Sequence, residues 1–300
     1  MWHAHKLDTR QAALVESWLE APVLIEDLSW GLVDTAVLHL RAAGADYILK
    51  AAGAANHHIG REITAHESYT APLVERGAAA RMAWASRDAN VLVTEYLPGT
   101  LGEGSASEHA SSTYVQAGRL LREFHEGASH VDDDFERSAT AKALGWLASP
   151  HRIEEVAAAQ AKRILGSYRP QPVTVVPTHG DWQPRNWLEH EGRISVIDFG
   201  RFAFRPAATD LCRLAFQQWR DEPSLESAFL EGYGSDPRED HTWSIMLLRE
   251  AIGTAAWAFQ VGDEPFEAQG HRMIADVLER FADPISDLTR RGDHVDDHGP

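Results

Sequence analysis

Cysteine is almost missing from this chain: Cys212 is the single one among 300 residues. A lone thiol excludes an internal disulfide framework and fits a reducing compartment. Long apolar runs are missing too. No stretch approaches the roughly 20 residues that cross a bilayer, and the opening MWHAHKLDTRQ lacks the apolar segment of a signal peptide. Together these absences predict a cytoplasmic protein with no membrane partner. Positive charge is scarce: 28 Lys and Arg stand against 45 Asp and Glu, a net charge of −17. Residues 221–300 hold 18 acidic and 6 basic side chains, so most of the imbalance lies there. Such a field repels nucleic acid and draws in cations. The acidic stretch is either a solvated surface or an acidic pocket. Internal repeats and low-complexity linkers are absent. The 16 histidines, His3, His5, His57 and His58 among them, form no metal-ligand pattern.

What is present is a hydrophobic fraction of 44%, enough for one large domain or two lobes sharing a cleft. Apolar spacing predicts a helix over 7–20, with short strands at 22–28, 35–41 and 46–50. A helix over 59–74 and strands at 81–86 and 91–96 follow, the last running into Pro98-Gly99. This gives an α+β first lobe over 1–97, ending in a connection at 94–99. Beyond it the periodicity is helical, at 108–127, 138–148, 151–167, 207–232 and 239–283, with strands only at 173–176 and 193–197. Residues 100–290 therefore read as a larger helical lobe, and 291–300 as a flexible tail.

One constellation carries chemistry. His179-Gly180-Asp181-Trp182-Gln183-Pro184-Arg185-Asn186 is followed, after the strand Ile194–Ile197, by Asp198-Phe199-Gly200. Phosphoryl transfer from ATP needs a carboxylate to orient and accept the acceptor's proton, and ligands to hold Mg²⁺ against the phosphates. Asp181 fits the first role. Asn186 and Asp198 supply the hard oxygen donors that magnesium prefers. A loop, a strand and a turn would bring all three to the end of one hairpin. The plainer alternative has Asp181 capping a turn and Asp198 ending a strand.

With these motifs the chain resembles the aminoglycoside phosphotransferase and choline kinase-like family of the protein-kinase-like fold, from about residue 20 to about 285. The resemblance implies an α+β, two-lobe enzyme that uses ATP or GTP with Mg²⁺ to phosphorylate a hydroxyl of a small molecule. It implies that Lys50, closing Tyr47-Ile48-Leu49-Lys50, contacts the nucleotide phosphates, and that Glu62 pairs with it; Glu67 is the second candidate partner. The adenine would meet the backbone at Thr94 and Tyr96. Ser29–Thr35 stands where the phosphate-covering loop belongs but carries one glycine, and Asp34 and Thr35 either meet the phosphates or cap a hairpin. His179 and Asp210 would support the catalytic loop. No A-P-E sequence follows, which argues against a protein substrate.

The acceptor is expected to be cationic or polyhydroxylated: an aminoglycoside-like antibiotic, or else an amino alcohol, sugar, homoserine-like compound or nucleoside. A catalytically inactive nucleotide-binding regulator is the remaining alternative. Asp221 and Glu222 lie where the family carries acceptor-binding carboxylates. Glu250 shares a helical stripe with Trp243, Leu247, Thr254 and Trp257, and a glutamate there must find a cation or reach a cleft. It either binds the acceptor or pairs with an arginine such as Arg213 or Arg249; Trp257 either stacks on a sugar or packs in the core.

Overall fold

The computed structural model describes residues 2–31 and 34–282. The expected tail, and Leu32 and Val33 of the phosphate-covering loop, lie outside them. The chain groups into two compact units, Met1–Val131 with Thr174–Pro237, and Asp132–Val173 with Arg238–Pro300. The lobe connection expected at 94–99 lies inside the first unit.

Element order runs from α1 (Thr9–Trp18) through β1 (Val23–Asp27), β2 (Ala36–Ala42) and β3 (Ala45–Ala51) to α2 (His58–Ser68) and α3 (Ala71–Glu75). Strands β4 (Met82–Ser86), β5 (Val91–Glu95) and β6 (Thr100–Leu101) lead to α4 (Ser111–His125) and β7 (His130–Asp132). Helices α5 (Phe135–Ala148) and α6 (Glu155–Ser167) precede β8 (Val173–Thr178), β9 (Trp187–His190), β10 (Arg193–Val196) and β11 (Ala203–Arg205). The described residues end with α7 (Cys212–Phe216), α8 (Gln218–Asp221), α9 (Pro223–Tyr233), α10 (Asp240–Val261) and α11 (Glu264–Ala282).

In the first unit five antiparallel strands form a sheet in the order β1-β2-β3-β5-β4. Alternation places Leu38, Leu40, Leu49, Val91 and Val93 in one core cluster, where α1 covers them with Val15 and Ala12. A capping box starts α1: Asp8 accepts from the Gln11 amide, and Gln11 Oε1 accepts from the Asp8 amide. The other side of the sheet packs Leu92 against Ile59 and Ile63 of α2. Lys50 lies on central β3, paired in register with Val37 and Leu92, so its backbone is fixed from both sides. Two smaller sheets, β10-β9-β6 and β11-β8-β7, flank the loop 179–186. In the second unit α10 packs against α11 and α5.

Three expected helices are interrupted. The one over 59–74 breaks at Tyr69-Thr70, because Pro72 tolerates only a first helical turn. The one over 239–283 breaks at Gly262, whose φ of +76° ends α10, and Asp263 then caps the Phe266 amide. The segment 207–232 begins as a short 3₁₀ turn and divides at Gln217 and again before Pro223. Strands β6, β7, β9 and β11 have two to four residues each, too short to leave an alternation.

Candidate active site

Lys50, Glu62 and Asp198 meet at one point. Lys50 Nζ lies 2.9 Å from both Glu62 carboxylate oxygens and 2.8 Å from Asp198 Oδ1. Glu62 reaches it from the second turn of α2 and is buried. Burial alone would pull the ammonium's pKa down; the Asp198 and Glu62 carboxylates outweigh it and hold Lys50 above its ordinary value. Asp198 in turn is lowered to about 2, chiefly by Lys50, against the upward push of burial. Its backbone is left-handed, φ 66° and ψ 66°, a conformation that costs a non-glycine residue of order 1 kcal/mol or more and clusters at functional sites. The turn leaves its side chain half exposed, beside the buried Phe199. Arg87 takes up Glu67 at 2.5 Å, so Glu67 is not the partner of Lys50.

The loop carrying Asp181 is braced from within the chain. His179 N and Gly180 N donate to Asp210 at 2.8 and 2.6 Å, and His125 Nε2 lies 3.1 Å from the same carboxylate. Burial raises the Asp210 pKa, but the bond to His125 and the charges and amides around it leave it lowered. The Asp210 carboxylate can only accept, so His125 Nε2 donates to it, and His125 Nδ1 lies 2.9 Å from Tyr233 Oη. The His179 ring links Ile197 O at 3.0 Å to the Asp181 amide at 3.2 Å, joining the loop to the residue before Asp198. At Gly180 φ is +81° and a Cβ would stand 2.6 Å from Arg201 O, so only glycine fits.

Asp181 is buried, yet ionised. Its Oδ1 meets Gln183 Nε2 at 2.5 Å and Arg213 Nε at 3.1 Å; its Oδ2 meets Arg185 at 2.5 Å and Asn186 Nδ2 at 3.0 Å. Burial pushes the carboxyl's pKa up, and Arg213, Arg185 and Arg201 overcome it and hold Asp181 well below the usual range. Asn186 Nδ2 also donates to Asp181 O at 2.8 Å, which leaves its Oδ1 for a cation. Asp198 spends Oδ1 on Lys50. An amide oxygen and a carboxylate are the donors a hard divalent ion takes, so the pair fits Mg²⁺. Among the described residues no group of three His, Cys, Asp or Glu side chains is placed to hold a metal.

The remaining expected residues fall in different places. Asp34 and Thr35 are tied to the loop after β3, where Asn56 Nδ2 donates to them at 2.8 and 3.1 Å. Thr94 is buried and registers with Ile48 and Met82. The Tyr96 amide donates to Asp46 O at 3.0 Å; that donor, expected to face a nucleotide base, is engaged inside the lobe, and its ring stacks on His39. Glu222 pairs with His109, and Asp221 is exposed at the end of α8. Glu250 and Trp257 belong to the second unit, with Trp257 edge-on to Phe266. Arg213 Nε lies 3.1 Å from Asp181 Oδ1, and Arg249 pairs with the buried Glu136 at 2.8 Å. Sequence reasoning missed Gln183, Arg185 and Arg213 around Asp181, and His125 and Tyr233 behind Asp210. Gln183 and Arg185 stand inside the motif itself, and their proximity to Asp181 was the available signal.

The profile of the phosphotransferase enzyme family (APH) matches residues 36–243. No curated protein sequence matches the chain. Among solved structures it resembles the choline kinase LicA from Streptococcus pneumoniae, with a TM-score of 0.65, 15% identity, and coverage of 91% of this chain and 100% of that one. It also resembles the macrolide 2'-phosphotransferase MphH from Brachybacterium faecium, at TM-score 0.59, 17% identity, and 89% and 98% coverage. A third is a thermostable mutant of the aminoglycoside phosphotransferase APH(4)-Ia in ternary complex with AMP-PNP and hygromycin B, at TM-score 0.66, 13% identity, and 92% and 99% coverage. At these identities the likeness is one of fold, α+β and protein-kinase-like. The family match spans Lys50, Glu62, Asp181, Asn186 and Asp198, and the chain belongs to the phosphotransferase enzyme family, small-molecule kinases with hydroxyl acceptors.

Proposed function

We propose that the protein transfers the γ-phosphoryl group of ATP or GTP to a hydroxyl of a small molecule, with Mg²⁺. The observation that carries this is the meeting of Lys50 with both Glu62 and Asp198, beside a loop that presents Asp181 and Asn186. Lys50 would hold the nucleotide phosphates, and Glu62 fixes its ammonium. Asn186 and Asp198 would hold the metal, which when bound supplies charge neutralisation on the phosphates. Asp181 accepts a hydrogen bond from the acceptor hydroxyl and orients its oxygen toward phosphorus. Held ionised by arginines, it orients more than it deprotonates, as suits a loose transition state. Asp210, through His179 N and Gly180 N, keeps the loop in place.

The acceptor is a small-molecule antibiotic in the first reading. The fold is shared with kinases whose names specify a macrolide and an aminoglycoside, and Glu222 and Asp221 supply carboxylates for an amine. A metabolite is the second reading, favoured by a specific observation: Arg185, Arg201 and Arg213 act on Asp181, and a polyamine is repelled by guanidinium groups. Purified protein with Mg-ATP is incubated with aminoglycosides, macrolides, choline, sugars, homoserine and nucleosides, and products are read by mass spectrometry. A phosphoryl adduct on one of these identifies the class. Absence of any adduct together with absence of nucleotide binding by calorimetry defeats the kinase reading.

A further inference from the structure

Asp181 is held by Gln183, two residues along the loop, and Gln183 is held in turn by a residue from outside the loop. Gln183 Nε2 donates to Asp181 Oδ1 at 2.5 Å, and Gln217 Nε2 donates to Gln183 Oε1 at 3.2 Å. The sense of both bonds follows from the chemistry. An ionised carboxylate only accepts, so the amide nitrogen of Gln183 faces Asp181 and its oxygen faces away. Gln183 is buried, and its oxygen takes its donor from within the chain, from Gln217.

Gln217 is built as an anchor. It stands between α7 and α8 with its backbone tied on both sides. Its amide donates to Arg213 O at 3.1 Å and Leu214 O at 3.2 Å, and its carbonyl accepts from Arg220 N at 3.1 Å. Arg213, on α7, places Nε 3.1 Å from Asp181 Oδ1. One short segment therefore brings a cation and, through Gln183, an amide donor to the same carboxylate oxygen. The next residue, Gln218, donates through Nε2 to Glu108 Oε1 at 3.0 Å and ties this segment to the 3₁₀ turn Ala106–His109. The terminal torsion of an aspartate is soft, whereas in-line transfer requires the acceptor hydroxyl to be held along one direction. We propose that Gln217 is a positioning residue: through Gln183 it fixes the rotation of the Asp181 carboxylate, and so sets kcat, without touching the reacting atoms. This rests on the phosphoryl-transfer reading above and adds to it a residue 34 positions beyond Gln183, outside the motif.

Gln217→Met keeps the length of the side chain and removes the donor. Gln217→Glu puts a second carboxylate in competition with Asp181 for the Gln183 amide. Both are assayed beside Gln183→Met and the double variant Gln183→Met/Gln217→Met. The rates are transfer from Mg-ATP to the acceptor panel above and hydrolysis of Mg-ATP with water as the only acceptor. Gln217→Met is expected to lower kcat by about three- to tenfold, the net worth of one hydrogen bond, and to leave KM for ATP within about twofold. Gln217→Glu should lower kcat further. In the Gln183→Met background, Gln217→Met is expected to cost less than about twofold, because the connection is already broken.

Urea titration of each variant separates positioning from folding. A wild-type kcat in Gln217→Met, whatever its stability, makes the residue structural only and overturns the inference. So do losses that add in full in the double variant. A defect confined to KM for the acceptor overturns it as well, by making Gln217 a binding residue. If Gln183→Met does not fold, the two Gln217 variants still decide, and equal kcat in both counts against the inference. All these results leave the kinase reading intact. A wild-type chain that neither transfers nor hydrolyses has no rate for Gln217 to set, which overturns the inference; the kinase reading falls only if nucleotide binding is absent too.

Discussion

Asp210 holds Gly180 through a hydrogen bond from the Gly180 amide to Oδ1, 2.6 Å long, while its other oxygen takes His179 N and His125. Two backbone donors in the interior therefore depend on one side chain. Asp210→Ala leaves both without a partner, at about 1–3 kcal/mol for each buried group. A loss of about 3 kcal/mol or more in unfolding free energy is expected from urea titration, with transfer activity falling alongside. The Asp210 pKa is lowered in the folded chain. Its stabilisation is thus present above the unfolded value near 3.8 and lost as pH falls through the folded one. Asp210→Asn should flatten that acid limb.

Lys50 is oriented by two carboxylates at once. Lys50→Ala is expected to lower kcat/KM by about a hundredfold or more, the scale of removing one preorganised charge from a phosphoryl site. Glu62→Gln keeps the shape and loses the charge that aims the ammonium, so a smaller loss is expected, seen mainly in KM for ATP. Steady-state kinetics at several ATP concentrations separates the two. An unchanged Glu62→Gln enzyme would remove Glu62 from the nucleotide site.

Asp181→Asn tests the acceptor side. Turnover should fall by about 10²–10⁴-fold, the usual worth of a positioned general base, while calorimetry finds nucleotide binding retained. Arginines keep Asp181 well below the ordinary carboxylate range. Protonation of Asp181 should therefore leave no acid limb in kcat between pH 4 and 8, taking about 3.9 as the unperturbed Asp value. A limb in that window that vanishes in Asp181→Asn would show that the arginines do not hold it ionised.

Much of this architecture was legible because local chemistry and tertiary demand agree. The strand ending at Lys50 alternates correctly for the centre of a sheet, and the motif from His179 to Asn186 has fixed internal spacing, so both could be placed without coordinates. Glu62 could be preferred to Glu67, and the structure gives Glu67 to Arg87 instead. What stayed hidden depends on distance along the chain. His125 reaches Asp210 across 85 positions and Tyr233 reaches His125 across 108, and neither stands in a motif. Arg213 reads in the sequence as one possible partner of Glu250, and its approach to Asp181 comes from α7, 32 positions along the chain and outside the motif. The Tyr96 amide illustrates the opposite error. A backbone donor at the end of a strand reads as facing outward, and in the fold Asp46 O of β3 takes it.

His66 supplies the last prediction. It lies one turn beyond Glu62 on α2, with its ring edge-on to buried Phe199 at 5.5 Å and Thr70 Oγ1 at 3.4 Å from Nδ1. Burial, and secondarily the charge of Lys50, lowers its pKa from 6.5 to about 4. A histidine with a depressed folded pKa stabilises the native chain fully above its unfolded value, and the contribution drains away as pH falls toward the folded one. The window is therefore pH 6.5 down to about 4. The ceiling is about 3 kcal/mol at 1.36 kcal/mol per unit, and partial exposure of the residue brings the expectation nearer 2. His66→Gln removes the titrating ring while keeping a polar group near Thr70. Urea midpoints measured from pH 7.5 to 4 should converge for wild type and variant as the pH drops, because the wild type alone carries this slope. Parallel curves across the window would mean that His66 takes up its proton as readily in the folded chain as in the unfolded one.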